Sequence, residues 1–324
     1  MFAAWGVESV IFAALTAACG GTASSKPSLR EWYGDGGAAD DGPNDNSTPV
    51  GSPSFLRFAD WTRDAVMGFD LCVRPHGSGG AGTWIGPLLG GAIAFPNVSA
   101  YVTVPSDTYD VGVVVPGGTC AAPIAPVKEI PPLAGGTRTT LALVGDLQPI
   151  ENDPQARVVA FADDLEAPDG RAAVRFIDAM AGTGVVFGTG ALVSATFSPL
   201  TGNVPFGTAS TAPASGLTVD ANGYVLLSPL AGGALSVHVG SAESDASTGI
   251  GSDLFDGGLG SGASPTGFGA ETDLATGSGA TWSAGSVVTV TLIAGNFGVT
   301  PELMLCQDNA APAGSLSVCS VLSP

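Results

Sequence analysis

Few side chains in this sequence are able to do chemistry. Five cysteines, two histidines and 29 acidic residues stand beside only ten basic ones in 324 residues. A serine-triad hydrolase places a histidine beside an activated serine, in one large class within G-x-S-x-G, and that motif is missing around His76 and His238. His238 alternates with Leu235, Val237 and Val239, which predicts a strand with the imidazole on its wet face; His76 precedes the turn sequence GSGGAG. Asp163 and Asp164 stand beside Glu166 and Asp169 between two apolar patterns, where a solvated linker is expected rather than a glycosidase pair. Zinc needs closely spaced Cys and His, and the sequence has no C-x-x-C. Fragments such as Gly258-Leu259-Gly260, in a chain with 48 glycines, lack the βαβ setting of a dinucleotide loop. No catalytic residue, metal ligand or cofactor is assigned.

Cys19 is different. It follows the uncharged run Val10 to Ala18, too short to span a bilayer and ending in small residues, as a signal peptide does. The stretch Leu15-Thr16-Ala17-Ala18-Cys19 resembles the lipobox of bacterial lipoproteins, which implies lipidation at Cys19 and a membrane anchor. An ordinary secretory signal is the alternative. Gly20 after the cysteine resembles lipoproteins passed to the outer membrane, so the expected location is the outer membrane or cell surface of a Gram-negative bacterium, with secreted or periplasmic as the alternatives. The remaining four cysteines are an even count in an exported chain and read as disulfides. Cys72–Cys120 and Cys306–Cys319 are the simplest of three connectivities.

The elements that position these groups are strands. Abundant Thr, Val and Ser with 48 Gly and 24 Pro argues for an all-β chain rich in turns, and a net charge of −19 excludes nucleic acid and anionic headgroups as partners. Residues 1–18 read as the signal peptide. Residues 19–52 read as a lipid-anchored, disordered tether, too poor in apolar residues to fold. In the body, Leu56-Arg57-Phe58-Ala59-Asp60 recurs as Val174-Arg175-Phe176-Ile177-Asp178, 118 residues on. Tyr101 answers Tyr224 after 123, the strand Tyr109–Val113 answers Leu235–Val239 after 126, and the segment 137–146 answers 287–296 after 150. Conserved order with growing spacing is what duplication followed by loop insertion produces. The expected architecture is two tandem immunoglobulin-like antiparallel β-sandwiches, 53–164 and 173–324, joined by a linker at 165–172. The second carries an acidic Gly/Ser-rich insertion at 240–281, with Asp253 and Asp256 among six carboxylates, expected as a solvated excursion without a bound cation.

The segments LRFAD, FDLCV, FPNVSAYVTVPSDTYDVGVVVPG, LAGGTRTTLALVGD and ARVVAFADDLEAPDGRAAVRFID resemble tandem copies of a bacterial extracellular domain of unknown function, DUF4397. The resemblance makes Phe69-Asp70-Leu71-Cys72 the family's V-D-V-Y strand and Tyr101 to Tyr109 its hairpin, and offers no catalytic residue to inherit. The expected function is a non-enzymatic cell-envelope lipoprotein serving as a surface structural or interaction module with a protein or glycan partner. The alternatives are a carbohydrate- or calcium-binding module, using Trp61, Trp84 and Trp282, or a hydrolase without a recognisable motif. Tryptophans gathered at one end would favour sugar binding; buried and scattered ones favour the structural reading.

Overall fold

Short runs of β-branched and small residues punctuated by Gly, Pro, Asn and Asp make every regular element among the described residues a strand. The computed structural model describes residues 52–323 apart from 63–66, 78–82, 148, 150–154, 167–169, 181, 183, 191–196, 240–273, 295–300 and 310–317. Cys19, the tether and most of the acidic insertion therefore lie outside the described residues. The first half contains β1 (Ser54–Asp60), β2 (Asp70–Pro75), β3 (Val102–Val104), β4 (Tyr109–Val114), β5 (Lys128–Glu129), β6 (Arg138–Val144) and β7 (Arg157–Asp163). The second contains β8 (Ala172–Asp178), β9 (Val185–Thr189), β10 (Ser198–Pro199), β11 (Tyr224–Leu227), β12 (Leu230–Val239), β13 (Ala275–Trp282), β14 (Val287–Ile293), β15 (Glu302–Gln307) and β16 (Val318–Val321).

The strand order of one half returns in the other. Sheets β3-β1-β6-β7 and β2-β4-β5 correspond to β11-β8-β14-β15-β16 and β10-β9-β12-β13. Each half has one parallel pair, β1 with β6 and β8 with β14, in otherwise antiparallel sheets. Parallel neighbours need a crossover, which the intervening strands supply. Register sharpens the repeat: Arg57 lies opposite Thr140 and Arg175 opposite Thr289, a spacing of 149 where the sequence comparison suggested 150. One residue matters, because it exchanges the two faces of a strand.

Both central sheets are covered on both faces, which explains the nearly continuous burial of β6 and β14, threonines included. On one face of the second half, Val174, Phe176, Val288, Val290, Leu292, Leu303 and Leu305 build a core with Phe187, Val237 and Trp282. On the other, Ile177, Ile293, Met304 and Cys306 pack against Ala59, Trp61, Ala142, Val144 and Phe161 of the first half. The two halves therefore share an apolar interface made by the outer faces of their larger sheets.

The insertion expected at 240–281 ends earlier than its composition suggested. Ala275 to Trp282 is β13, paired with β12, and Ala275, Ala280 and Trp282 are buried on its inner face. Gly277 is required there: a Cβ would stand 2.7 Å from the Leu322 Cβ that packs across it. A strand built of Gly, Ser, Thr and Ala carries too little contrast for alternation to be seen.

Candidate functional site

Each half contributes an arginine to the middle of a mainly apolar strand, β1 or β8, and both side chains point into the shared interface. Arg57 Nε donates to Thr140 Oγ1 at 2.7 Å, and its Nη2 donates to Asp308 of the other half at 2.8 Å and to Asp163 at 3.5 Å. Arg175 reaches back: Nη2 donates to Asp163 Oδ1 at 2.7 Å and Thr289 Oγ1 at 3.2 Å, and Nη1 to the Ala162 carbonyl at 2.9 Å. Thr140 and Thr289 each donate to the aspartate of their own half at 2.6 Å. Tyr101 and Tyr224 lie under the guanidinium groups, 5.0 and 4.7 Å from the ring centroids. The set is a duplicated Arg, Thr, Asp and Tyr, with each arginine crossing to the partner half's carboxylate.

The duplication is not perfect. Tyr101 donates to Asp163 at 2.9 Å, whereas the Tyr224 hydroxyl is buried without a hydrogen-bond partner among the described residues. Asp163, with no exposed side-chain surface, thus serves both arginines, Thr140 and Tyr101. Burial alone would raise its carboxyl; Arg57 and Arg175 outweigh burial and hold it below the ordinary 3.8. Burial likewise opposes both guanidinium charges, but Asp163 and Asp308 around Arg57, and Tyr224 with the same two carboxylates around Arg175, leave both arginines binding their protons more tightly than usual. Asp163 was expected in a solvated linker. It is instead the centre of the buried network, because β7 continues through it and places it on the interface face.

A second polar group lies on the outer face of the first half. Arg74, His76 and Asp110 are neighbours across β2 and β4: Arg74 Nε donates to Asp110 Oδ2 at 3.0 Å, and His76 Nδ1 lies 2.7 Å from Asp110 Oδ1. His76 Nε2 is 3.6 Å from Glu129. The hydrogen bond to Asp110 raises the imidazole above its ordinary 6.5, and the histidine in turn lowers the Asp110 carboxyl. Trp84 stacks on Arg74 at 4.6 Å and crosses Gly112, where a Cβ would meet its ring at 3.3 Å. Glu129 itself lines a groove of about 450 Å³, together with Lys128, Ile130, Arg157, Ala160 and Gly207 among others. Arg157 forms its wall, stacked on Phe206 at 4.7 Å and donating to the Phe206 carbonyl at 3.1 Å.

The residues singled out in the sequence are dispersed. Trp61 is 2% exposed in the shared interface, tilted against Phe161 at 6.2 Å, and Trp282 is 3% exposed in the second core. Neither is presented to a ligand, since Trp282 lies on the covered face of β13 and Trp61, just past the end of β1, is packed between the halves; Trp84 is half-buried near the Cys72–Cys120 bridge. Cys72 is bonded to Cys120 and Cys306 to Cys319, one bridge in each half. His238, expected on a wet face, is 4% exposed, because Phe197 covers that side of β12 with the rings 4.1 Å apart. Among the described residues no cluster of His, Cys, Asp and Glu is arranged to hold a metal ion, and no helix is long and apolar enough to cross a membrane.

One carboxyl is left half-satisfied in the core. Asp178 Oδ1 accepts from the Met180 amide at 3.0 Å, while Oδ2 is buried with no hydrogen-bond partner among the described residues. Burial pushes this carboxyl up to about 7. A folded-state value above the unfolded 3.8 means that the native state binds the proton more tightly, so stability declines as pH rises from about 4 through 7. Asp178→Asn should stabilise the protein by about 2 kcal/mol at pH 8 and change little at pH 4, read as melting temperature at the two pH values.

The fold and the site define an all-β class of protein, two-halved, with a disulfide in each half. A DUF4397 domain, described as a domain of unknown function, is found at residues 86–187. The matched segment runs from Gly86 through β3 to β9, ending at Phe187. It includes the Tyr101 hairpin, Asp163 and Arg175 but leaves out Leu56–Asp60 and Phe69–Val73, which the sequence comparison had placed in the family pattern. No curated protein matches the chain.

Proposed function

We propose that the protein is a non-enzymatic cell-envelope lipoprotein, exported and held by a lipid on Cys19, whose two halves act as one rigid interaction module. The observation that carries this reading is the use made of the scarce cations. Two of ten basic residues are buried as cross-struts between the halves, each contacting the other half's aspartate, so charge is spent on fixing the halves rather than on an open cleft. Fixed halves suit a surface that presents a shape to another macromolecule. The bridges support an oxidising compartment. The test has two arms on the full chain. Detergent-phase partitioning should be lost in Cys19→Ser, and a screen of the purified protein against glycans and calcium should give nothing tighter than millimolar. A glycan bound more tightly and lost in Trp84→Ala would replace this reading with a carbohydrate-binding module.

A further inference from the structure

The second half ends in a clasp. Its larger sheet carries one strand more than that of the first half, β16 beside β15. Cys306 of β15 and Cys319 of β16 are directly opposed, in the register that sets Met304 against Val321. Just past β16, Leu322 is buried: its amide donates to the Leu303 carbonyl at 2.8 Å, and its Cβ lies over Gly277 of β13. The next residue crosses to the other sheet, where the Ser323 carbonyl accepts from the Ser278 amide at 2.7 Å and from the Ser278 hydroxyl at 3.0 Å. Residues 318–323 thus join the two sheets of the second half, and the disulfide pins them there.

The two bridges are guarded differently. Cys72 has no exposed surface and Cys120 is 8% exposed, with Val114 and Trp84 packed against them. Their strand β2 is paired with β4 on one side and bridged to Ile85 on the other, so a thiolate reaches that sulfur pair only when the first half opens. Cys306 is also closed off, at 1%. Cys319 is half-buried, on an edge strand of four residues in which Ser320 and Val321 are exposed. Short edge strands near a chain end open at low free-energy cost. Lifting β16 breaks its bonds to β15 and the Ser278–Ser323 link, and no residue of the Arg–Asp struts lies on it.

We propose that Cys306–Cys319 is a thiol-exchange site at which a dithiol reductant opens the C-terminal clasp. A thiolate of the dithiol attacks Cys319 Sγ as β16 lifts. The Sγ–Sγ bond breaks, and Cys306 leaves with the electron pair and takes a proton from the water admitted. The second thiolate of the dithiol attacks its own sulfur in the mixed disulfide, Cys319 leaves and is protonated, and the dithiol becomes a disulfide, having passed two electrons to the protein. Without the cross-link, β16 is held by Leu322 and backbone bonds alone, and the second half shifts towards an open edge at β15. The site goes beyond the interaction-module reading and stands or falls apart from it, since lipidation and glycan binding do not involve β16.

The test exposes the oxidised full-length protein, without denaturant, to about 1 mM dithiothreitol at about pH 8, with timed iodoacetamide quenching and peptide mapping. Cys306 and Cys319 should be alkylated together, about tenfold or more faster than Cys72 and Cys120. Equal rates, or earlier loss of Cys72–Cys120, overturn the proposal. Leu322→Ala loosens the clasp and should speed reduction of this bridge about fivefold while leaving the other unchanged; no acceleration overturns the opening step. A C-x-x-C oxidoreductase whose second cysteine is replaced by serine should be trapped on Cys319, and an adduct on Cys306, or none, overturns the assignment of the attacked sulfur. After reduction, amide exchange should quicken at Ser278 and stay slow along β6. Quickening in both halves would mean global unfolding and overturn the clasp equally.

Discussion

Replacing Asp163 by alanine is expected to cost about 3–5 kcal/mol, because it leaves two buried guanidinium groups short of a counter-ion at once. Arg57 would keep Asp308 at 2.8 Å, but Arg175 would be left with Thr289, the Ala162 carbonyl and the Tyr224 ring, and no hydrogen-bonded carboxylate. Asp308→Ala, which deprives Arg57 alone of its shorter carboxylate contact, should cost less. Urea unfolding at pH 7 measures both, and equal losses would refute the central place given to Asp163. The pH dependence has a definite sign. Asp163 sits below its unfolded value of 3.8, so its contribution is complete above about pH 4 and disappears as pH falls through the lower folded value. The acid limb of the stability profile should therefore flatten in Asp163→Ala. Replacing all four charges by well-packed apolar residues should restore much of the loss, since a buried ion pair is weak as a net stabiliser and costly only when broken.

The second large effect belongs to the bridge that closes the longer loop. Cys72 and Cys120 are 48 residues apart, and removing the cross-link as Cys72→Ser/Cys120→Ser should lower stability by about 4 kcal/mol in the chain-entropy description. Cys306 and Cys319 are 13 residues apart, for which the same description gives about 3 kcal/mol. Against a domain stability of roughly 5–15 kcal/mol, either loss is a large fraction of the whole. Melting of the two double variants under identical conditions checks the ranking. The smaller bridge should also show a local signature. It joins directly opposed residues of β15 and β16, so its loss should speed amide exchange at Leu322 while leaving β6 protected.

Much of the architecture was legible because it depends on local rules. Period-two patterns and turn residues marked β1, β4, β6, β8 and β14, and the repeat of Arg57 and Tyr101 at Arg175 and Tyr224 was visible as spacing. An even number of body cysteines suggested bridges within each half, where they are found. What these patterns cannot express is what covers a strand. His238 looked wet because alternation assumes one solvated face, and Phe197 closes that face from a segment without a strand pattern. Asp163 looked like linker because charge suggests solvent, and only the packing of one half on the other brings two arginines to it. A signal was present all the same: an arginine at the same register of two matched apolar strands, in a chain with ten basic residues, has to be buried with a partner. Sequence alone determined the all-β class, most of the strands and the repeat, and made the two bridges the simplest of three pairings; the causes of these lie within a few residues or in redox context. Tertiary structure alone decided the crossed Arg–Asp struts and the burial of Trp61, Trp282 and His238. Those follow from which faces and edges meet, and that depends on contacts between residues up to 251 positions apart.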